Sequence, residues 1–231
     1  MDFSGKHVVV TGGTGALGSA VVAGLLAAGA TCTVPYVHEM EAKTFPSRGD
    51  PNVTLISVSD LSDETQVAKV FDGLKPWASI HIAGGFAPGK VTETGKKALM
   101  AQIDSNLVSC FLCCRAAAKA MLTTGGGRIV NVAARPALEW RSGAGMAAYT
   151  VAKAGVAALT VALAEEVAKD GILVNAVAPS IMDTPANRKA MPKANFDAWP
   201  KVEEVAATIL FLASPGNHVT RGAIVPVYGK S

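Results

Sequence analysis

The sequence has few aromatic residues, 6%, and few charges, 17% Asp, Glu, Lys and Arg. That charged share lies below the about 25% usual for soluble domains. With so few large rings, the core has to be built from Ala, Val, Leu and Gly, which let helices and strands approach closely. Lys and Arg are scattered and the net charge is only +3, a pattern that excludes a nucleic-acid arm or a basic membrane patch. The opening Met-Asp-Phe-Ser-Gly-Lys-His lacks the apolar core of a signal peptide. There are four cysteines, and Cys110, Cys113 and Cys114 crowd into one helical stretch apart from Cys32. Such crowding is poor geometry for disulfides and fits a reducing cytoplasm. The uncharged run from Val8 to Val37 carries four glycines in its first half and Pro35 near its end. It reads as strand, turn, helix and strand rather than as a membrane span.

What the chain does have is apolar material, with half of its 231 residues hydrophobic. That excludes a disordered chain and suffices for a large core. Apolar runs predict strands at Lys6–Thr11, Thr31–Val37, Val53–Val58, Ser79–Ala83, Arg128–Ala133, Ile172–Val177 and Ala223–Val227. Helices are predicted at Ala16–Ala28, Val67–Leu74 (with Ser62 as N-cap), Ala98–Leu122, Met146–Ala168 and Val202–Ala213. Strands alternate with helices throughout. The strands are continuous apolar runs, so they are buried on both faces, as in a parallel sheet covered by helices on each side. No linker or repeat divides the chain, and one domain over residues 1–231 is expected. His38–Asn52 is short for a crossover helix. Asp183–Lys201, with Pro185, Pro192 and Pro200, has the composition of a mobile lid.

After the first strand comes Thr11-Gly12-Gly13-Thr14-Gly15-Ala16-Leu17-Gly18, in which Gly13, Gly15 and Gly18 fit G-x-G-x-x-G. Between a strand and a helix, these glycines allow the tight turn, the close approach of backbone to a pyrophosphate and tight helix packing. The helix N-terminus then holds the phosphates. The cofactor expected is NADP or NAD. A ribose-binding acid would end the second strand, but Tyr36 stands there, so NADPH is slightly favoured. Asp60, after the third strand, is placed to meet the adenine edge.

Tyr149 and Lys153 lie four apart, on one face if the stretch is helical. A free phenol titrates near 10, and a neighbouring ammonium would lower that. Such a phenol can give a proton to a carbonyl or imine that receives a hydride.

With these residues the sequence resembles the short-chain dehydrogenase/reductase family along essentially its whole length. The resemblance rests on the glycine turn, Asp60-Leu61, Ala83-Gly84, Asn106, Tyr149-x-x-x-Lys153 and Asn175-Ala-Val-Ala-Pro179. It implies a doubly wound, Rossmann-type parallel sheet of about seven strands. It also implies Tyr149 as acid/base, Lys153 as partner of Tyr149 and of the nicotinamide ribose, and Asn106 as holder of a relay water. Gly84, Gly85, Pro179, Ser180, Ile181 and Thr184 would line the nicotinamide end. The two long helices would form a homodimer or homotetramer. Where the family carries a Ser that polarises the substrate, this chain has Ala134, and Ser142 is the nearest hydroxyl upstream of Tyr149. Within the family the chain is similar to the quinonoid dihydropteridine reductases, through residues 15–19, 83–87, Gly145-Met146 and 184–192. Those enzymes also lack the Ser, but they carry an acid at the place of Tyr36 and no Asn at the place of Asn106.

The function expected is therefore NAD(P)H-dependent reduction of a small C=O or C=N substrate, with a quinonoid dihydropteridine as the named candidate. The alternatives are a carbonyl or 3-oxoacyl reductase and, from another class, a non-catalytic dinucleotide sensor. Phe86, Ala134, Trp140, Met146, Met182 and Arg188 are expected to flank the substrate. Cys110-x-x-Cys113-Cys114 reads as packing, because no second pair or nearby His completes a metal set. His38, His81 and His218 read as surface or turn residues.

Overall fold

A computed structural model describes all 231 residues. Seven strands form one sheet: β1 (His7–Thr11), β2 (Thr31–Tyr36), β3 (Val53–Ser57), β4 (Ala78–His81), β5 (Gly127–Val132), β6 (Ile172–Pro179) and β7 (Ile224–Val227). Their spatial order is β3-β2-β1-β4-β5-β6-β7, and every neighbouring pair is parallel. Nine α-helices complete the fold. They are α1 (Ala16–Ala27), α2 (Glu39–Thr44), α3 (Glu64–Phe71), α4 (Lys96–Ile103), α5 (Ser109–Leu122), α6 (Arg135–Leu138), α7 (Ala147–Glu166), α8 (Pro185–Ala190) and α9 (Val202–Ala213). This is the doubly wound Rossmann-type arrangement expected from the apolar runs.

Each face of the sheet has its own core. On one face, Val21, Val22 and Leu25 of α1 and Val205, Ile209 and Leu212 of α9 meet Val8, Val10 and Ile80. On the other, Val67 and Val70 of α3, Met121 of α5 and Val156 and Ala164 of α7 meet Val9, Ile129 and Val174. All four cysteines are free and buried. Helix α7, 20 residues with a mean hydropathy of 1.5, is long and apolar enough to cross a membrane. Here it packs on the sheet through Ala152, Lys153, Val156, Ala157, Thr160 and Ala164.

Two local expectations are corrected, the unbroken helix over 98–122 and the Ser62 cap. The stretch expected as one helix from 98 to 122 is interrupted by a π-turn at Asp104–Val108 that carries Asn106. Residues 38–52 hold only the six-residue α2, short of a full crossover helix as expected. Asp63 rather than Ser62 caps α3, accepting from the Thr65 amide; the Ser62 hydroxyl instead donates to Asp60 at 2.7 Å. The segment read as a lid contains α8 and a 3-10 turn at Phe196–Ala198.

Adjacent strands β1 and β4 are far apart in sequence. The chain winds outward in opposite directions from them, which opens a crevice beyond their carboxyl ends. The candidate site lies there.

Candidate active site

The crevice begins at the glycine turn. Gly12 has φ +67°, and a Cβ on it would stand 2.7 Å from the Ala83 amide. A Cβ on Gly18 would stand 2.0 Å from the Gly12 carbonyl oxygen. Neither position tolerates a side chain, so the turn after β1 can pass close to the end of β4. Gly15 is the N-cap of α1, with no side-chain cap and no acid in the first turn. The first-turn amides of α1 are therefore left to meet an anion. Around this turn lies a cavity of about 500 Å³. Its walls bring together Gly12, Thr14, Gly15, Ala16, Leu17, Gly18, Tyr36, Asp60, Leu61, Ala83, Gly84 and Gly85, all named from the sequence. Gly13 alone of the turn lies off it, against Val34.

Pro35, Val37, His38, Glu41, Ile82, Ser105 and Ser109 complete the walls and were missed in the sequence. Of these Glu41 matters most. It belongs to α2 and accepts a hydrogen bond from Thr14 Oγ1 at 3.0 Å, while Tyr36 donates to Glu39 at 3.0 Å. The acid absent at position 36 thus has a counterpart five positions later, visible only once α2 folds back. Asp60 turns its carboxylate to its own loop, accepting from the Ser62 amide and hydroxyl. A second, polar cavity of about 540 Å³ lies at the opposite ends of the strands, among Lys6, His7, Trp77 and Arg128, and contains none of the named residues.

Past β4, Gly84 organises the inner end. A Cβ there would stand 2.4 Å from Asn106 Oδ1 and 3.6 Å from Lys153 Nζ, so the glycine lets both groups close on the same backbone. The π-turn aims Asn106 inward, a use such turns often have at functional sites. Its Nδ2 donates to the Gly85 and Gln102 carbonyls at 2.9 and 3.1 Å. Its Oδ1 is buried and meets no protein donor, as fits a group that serves a ligand or water. Lys153 Nζ donates to the Val132 carbonyl at 2.8 Å and lies 5.9 Å from the Tyr149 ring centre. Burial pushes the Tyr149 phenol up to about 12 and the Lys153 ammonium down to about 8. The lowering of the phenol expected from its lysine neighbour does not appear; burial alone moves it, and upward.

Phe86 meets the Tyr149 ring edge-on, with centroids 5.1 Å apart at 88°, and remains 58% exposed. Ala134 is buried at the N-cap of α6. Ser142 does not replace the missing hydroxyl, since its Oγ donates to the Glu139 carbonyl at 2.7 Å. Trp140 is largely exposed. Met146 caps α7 beside a backbone bridge to Gly89. Beyond β6, buried Pro179 leads to Ser180, whose hydroxyl donates to the Tyr228 carbonyl. Ile181 is exposed, Met182 packs partly onto the core, and Thr184 caps α8. Arg188 gives its guanidinium to Asp183 at 2.6 and 2.8 Å and stacks on Phe196. His81 is also corrected: it is buried, with its ring nitrogens 2.8 Å from Ser79 Oγ and Asn131 Oδ1.

A family model described as short chain dehydrogenase matches residues 6–195. The chain belongs to the short-chain dehydrogenase family. It is 33% identical over 240 residues to galactitol 2-dehydrogenase of Rhizobium johnstonii, covering 96% of this chain and 93% of that one. It is 30% identical over 247 residues to 3-oxoacyl-[acyl-carrier-protein] reductase FabG of Pseudomonas aeruginosa, covering 99% and 98%. Its fold matches a structure titled ElxO with NADP bound at a TM-score of 0.86 and 27% identity, over 97% of each chain. This short-chain dehydrogenase is an NAD(P)-dependent oxidoreductase. These relatives support the family and its chemistry; no dihydropteridine reductase is among them.

Proposed function

We propose that the chain, as one domain over residues 1–231, reduces a small, conjugated C=N or C=O compound, with a quinonoid dihydropteridine as the fitting substrate class. The observation that carries this reading is Ala134. A simple ketone needs a second donor beside the acid, and here a buried methyl occupies that place while Ser142 is bonded to the Glu139 carbonyl. A quinonoid acceptor is already polarised by conjugation and needs only one proton donor. The exposed Phe86 ring beside Tyr149 offers a flat substrate an aromatic wall.

The uncapped α1 terminus and the Gly12–Gly18 turn fit a dinucleotide pyrophosphate. When bound, the reduced nicotinamide supplies the hydride. Tyr149, protonated at neutral pH, gives the matching proton from its hydroxyl. The buried Lys153 ammonium then stabilises the phenolate. Asn106, through its unpartnered Oδ1, holds the water that returns a proton to Tyr149. Pro179, Ser180, Ile181 and Thr184 close the nicotinamide end, and Met146, Met182 and Arg188 sit at the substrate rim. The exposed Phe111, Val151 and Val161 on the long helices α5 and α7 provide the surface for a homodimer or homotetramer, and the enzyme works in the cytoplasm.

A 3-oxoacyl or carbonyl reductase is the second reading, favoured by the FabG relative at 30% identity. Steady-state assays with NADH and NADPH against quinonoid dihydropterin, 3-oxoacyl thioesters and simple ketones separate the two. Preference for quinonoid dihydropterin is expected. Preference for ketones or thioesters transfers the function to the second reading.

A further inference from the structure

Beneath the cofactor crevice, β4 and α5 enclose a cluster that hydride transfer does not use. Cys110 and Cys114 are four apart and share one face of α5, and that face meets His81 on β4. A ring nitrogen of His81, Cys110 Sγ and Cys114 Sγ lie within 4.8 Å of one another, and all three residues are buried. Cys114 Sγ stands 3.4 Å from His81 Nδ1 and 3.3 Å from Asn131 Oδ1, and Asn131 Oδ1 stands 2.8 Å from that nitrogen. The packing reading of the cysteines lacked the histidine, which lies far upstream in sequence and arrives only when β4 pairs with β5. We propose that these groups form a structural zinc site, with His81, Cys110 and Cys114 as ligands and the Asn131 side-chain oxygen in the fourth place.

The donor set suits the ion, because two thiolates and an imidazole are typical of zinc rather than of magnesium or calcium. The spacing suits it as well. Metal bonds of about 2.0–2.3 Å give tetrahedral edges of about 3.3–3.8 Å. The Cys114 contacts already have that length, the His81–Asn131 pair opens by under an ångström, and Cys110 swings inward. A second shell is in place, since His81 Nε2 lies 2.8 Å from Ser79 Oγ and Asn131 Nδ2 donates to Thr160 Oγ1 at 2.9 Å. An imidazole that binds metal through one nitrogen is oriented in this way through the other.

The charge balances too. Zinc(II) replaces the two thiol protons of Cys110 and Cys114, which leave to solvent, and the imidazole keeps its single proton on Nε2. The interior gains no net charge, which is the condition for burying an ion cheaply. Cys110 follows Asn106 by about one helical turn, and His81 leads into Gly84. Zinc here would tie α5 to β4 directly below the Asn106–Gly85 contact.

The test is metal content, which does not depend on the reductase reading. The full chain, without a polyhistidine tag, is produced in zinc-supplemented medium and analysed by elemental mass spectrometry. One zinc per chain is expected in the native protein and in Cys113→Ser, with a fall of about 10- to 100-fold in occupancy in Cys110→Ser and Cys114→Ser. Where those variants do not fold, the native sequence decides alone. Refolded with cobalt(II), it should show an intense thiolate-to-cobalt absorption band. Folded native protein that carries no zinc and refolds in cobalt without that band overturns the proposal, as does zinc retained in full by folded Cys110→Ser or Cys114→Ser.

Discussion

Asn106 donates to the Gly85 carbonyl at 2.9 Å, while a Cβ on Gly84 would come within 2.4 Å of its side-chain oxygen. The loop after β4 and the π-turn before α5 are thus fitted to each other around one side chain. That fit brings Asn106, Lys153 and the glycine turn to the same inner end of the crevice.

The Phe86–Tyr149 contact predicts the first variant. An edge-on aromatic pair contributes about 0.5–1.5 kcal/mol beyond burial. Phe86→Ala should raise KM for a flat aromatic substrate by roughly 2- to 10-fold, with kcat changed less and cofactor affinity unchanged. Initial-rate kinetics with fixed NADH or NADPH read the split.

Ala134 predicts a gain. Losing one such donor costs a typical enzyme about 10²–10³ in rate. Ala134→Ser restores the hydroxyl that the family carries at this position and should raise kcat/KM for simple ketones by at least about tenfold. The rate with a conjugated acceptor should change little. A panel of both substrate kinds, run on both proteins, gives the comparison.

Much of this was legible in the sequence, for physical reasons that differ by residue. The parallel sheet could be read because β1, β4, β5 and β6 are buried on both faces and so appear as unbroken apolar runs. The glycine turn could be read because sterics leave no alternative at Gly12 and Gly18. The π-turn at Asn106 could not, since it adds no residue type that a continuous helix would refuse. Glu41 and His81 were missed because their neighbours are distant in sequence: Thr14 for one, Asn131 and Cys114 for the other. The phenol was misjudged because a motif gives the charge beside Tyr149 but not the burial around it.

Glu41 predicts how the two cofactors are told apart. Its carboxylate, held by Thr14, lines the Tyr36 end of the cavity and would repel a phosphate carried there by the adenosine ribose. It is solvent-exposed, so the effect is modest. Glu41→Gln should shift the ratio of NADPH to NADH affinity toward NADPH by about 3- to 5-fold, as expected for an exposed charge contact of up to about 1 kcal/mol. Fluorescence titration with each cofactor measures it.

Lys153 predicts a pH dependence of stability. Burial holds its ammonium at about 8, against 10.5 in the unfolded chain. Between those values the unfolded state binds more protons, so stability rises with pH; below about 8 both states are protonated and the slope vanishes. The native protein should gain on the order of 2–3 kcal/mol from pH 8 to pH 10 relative to Lys153→Met. Above pH 10 the raised Tyr149 phenol works the other way, because the unfolded chain ionises first. Urea unfolding of both proteins across this range shows the difference in slope.

The central claim is that Tyr149 delivers the proton that accompanies hydride transfer. Single-turnover reduction by Tyr149→Phe, with cofactor affinity measured on the same protein, tests it most directly. A loss of about 10²–10⁴ in rate is expected, with cofactor affinity within about threefold of native. An unchanged rate in the variant would contradict it.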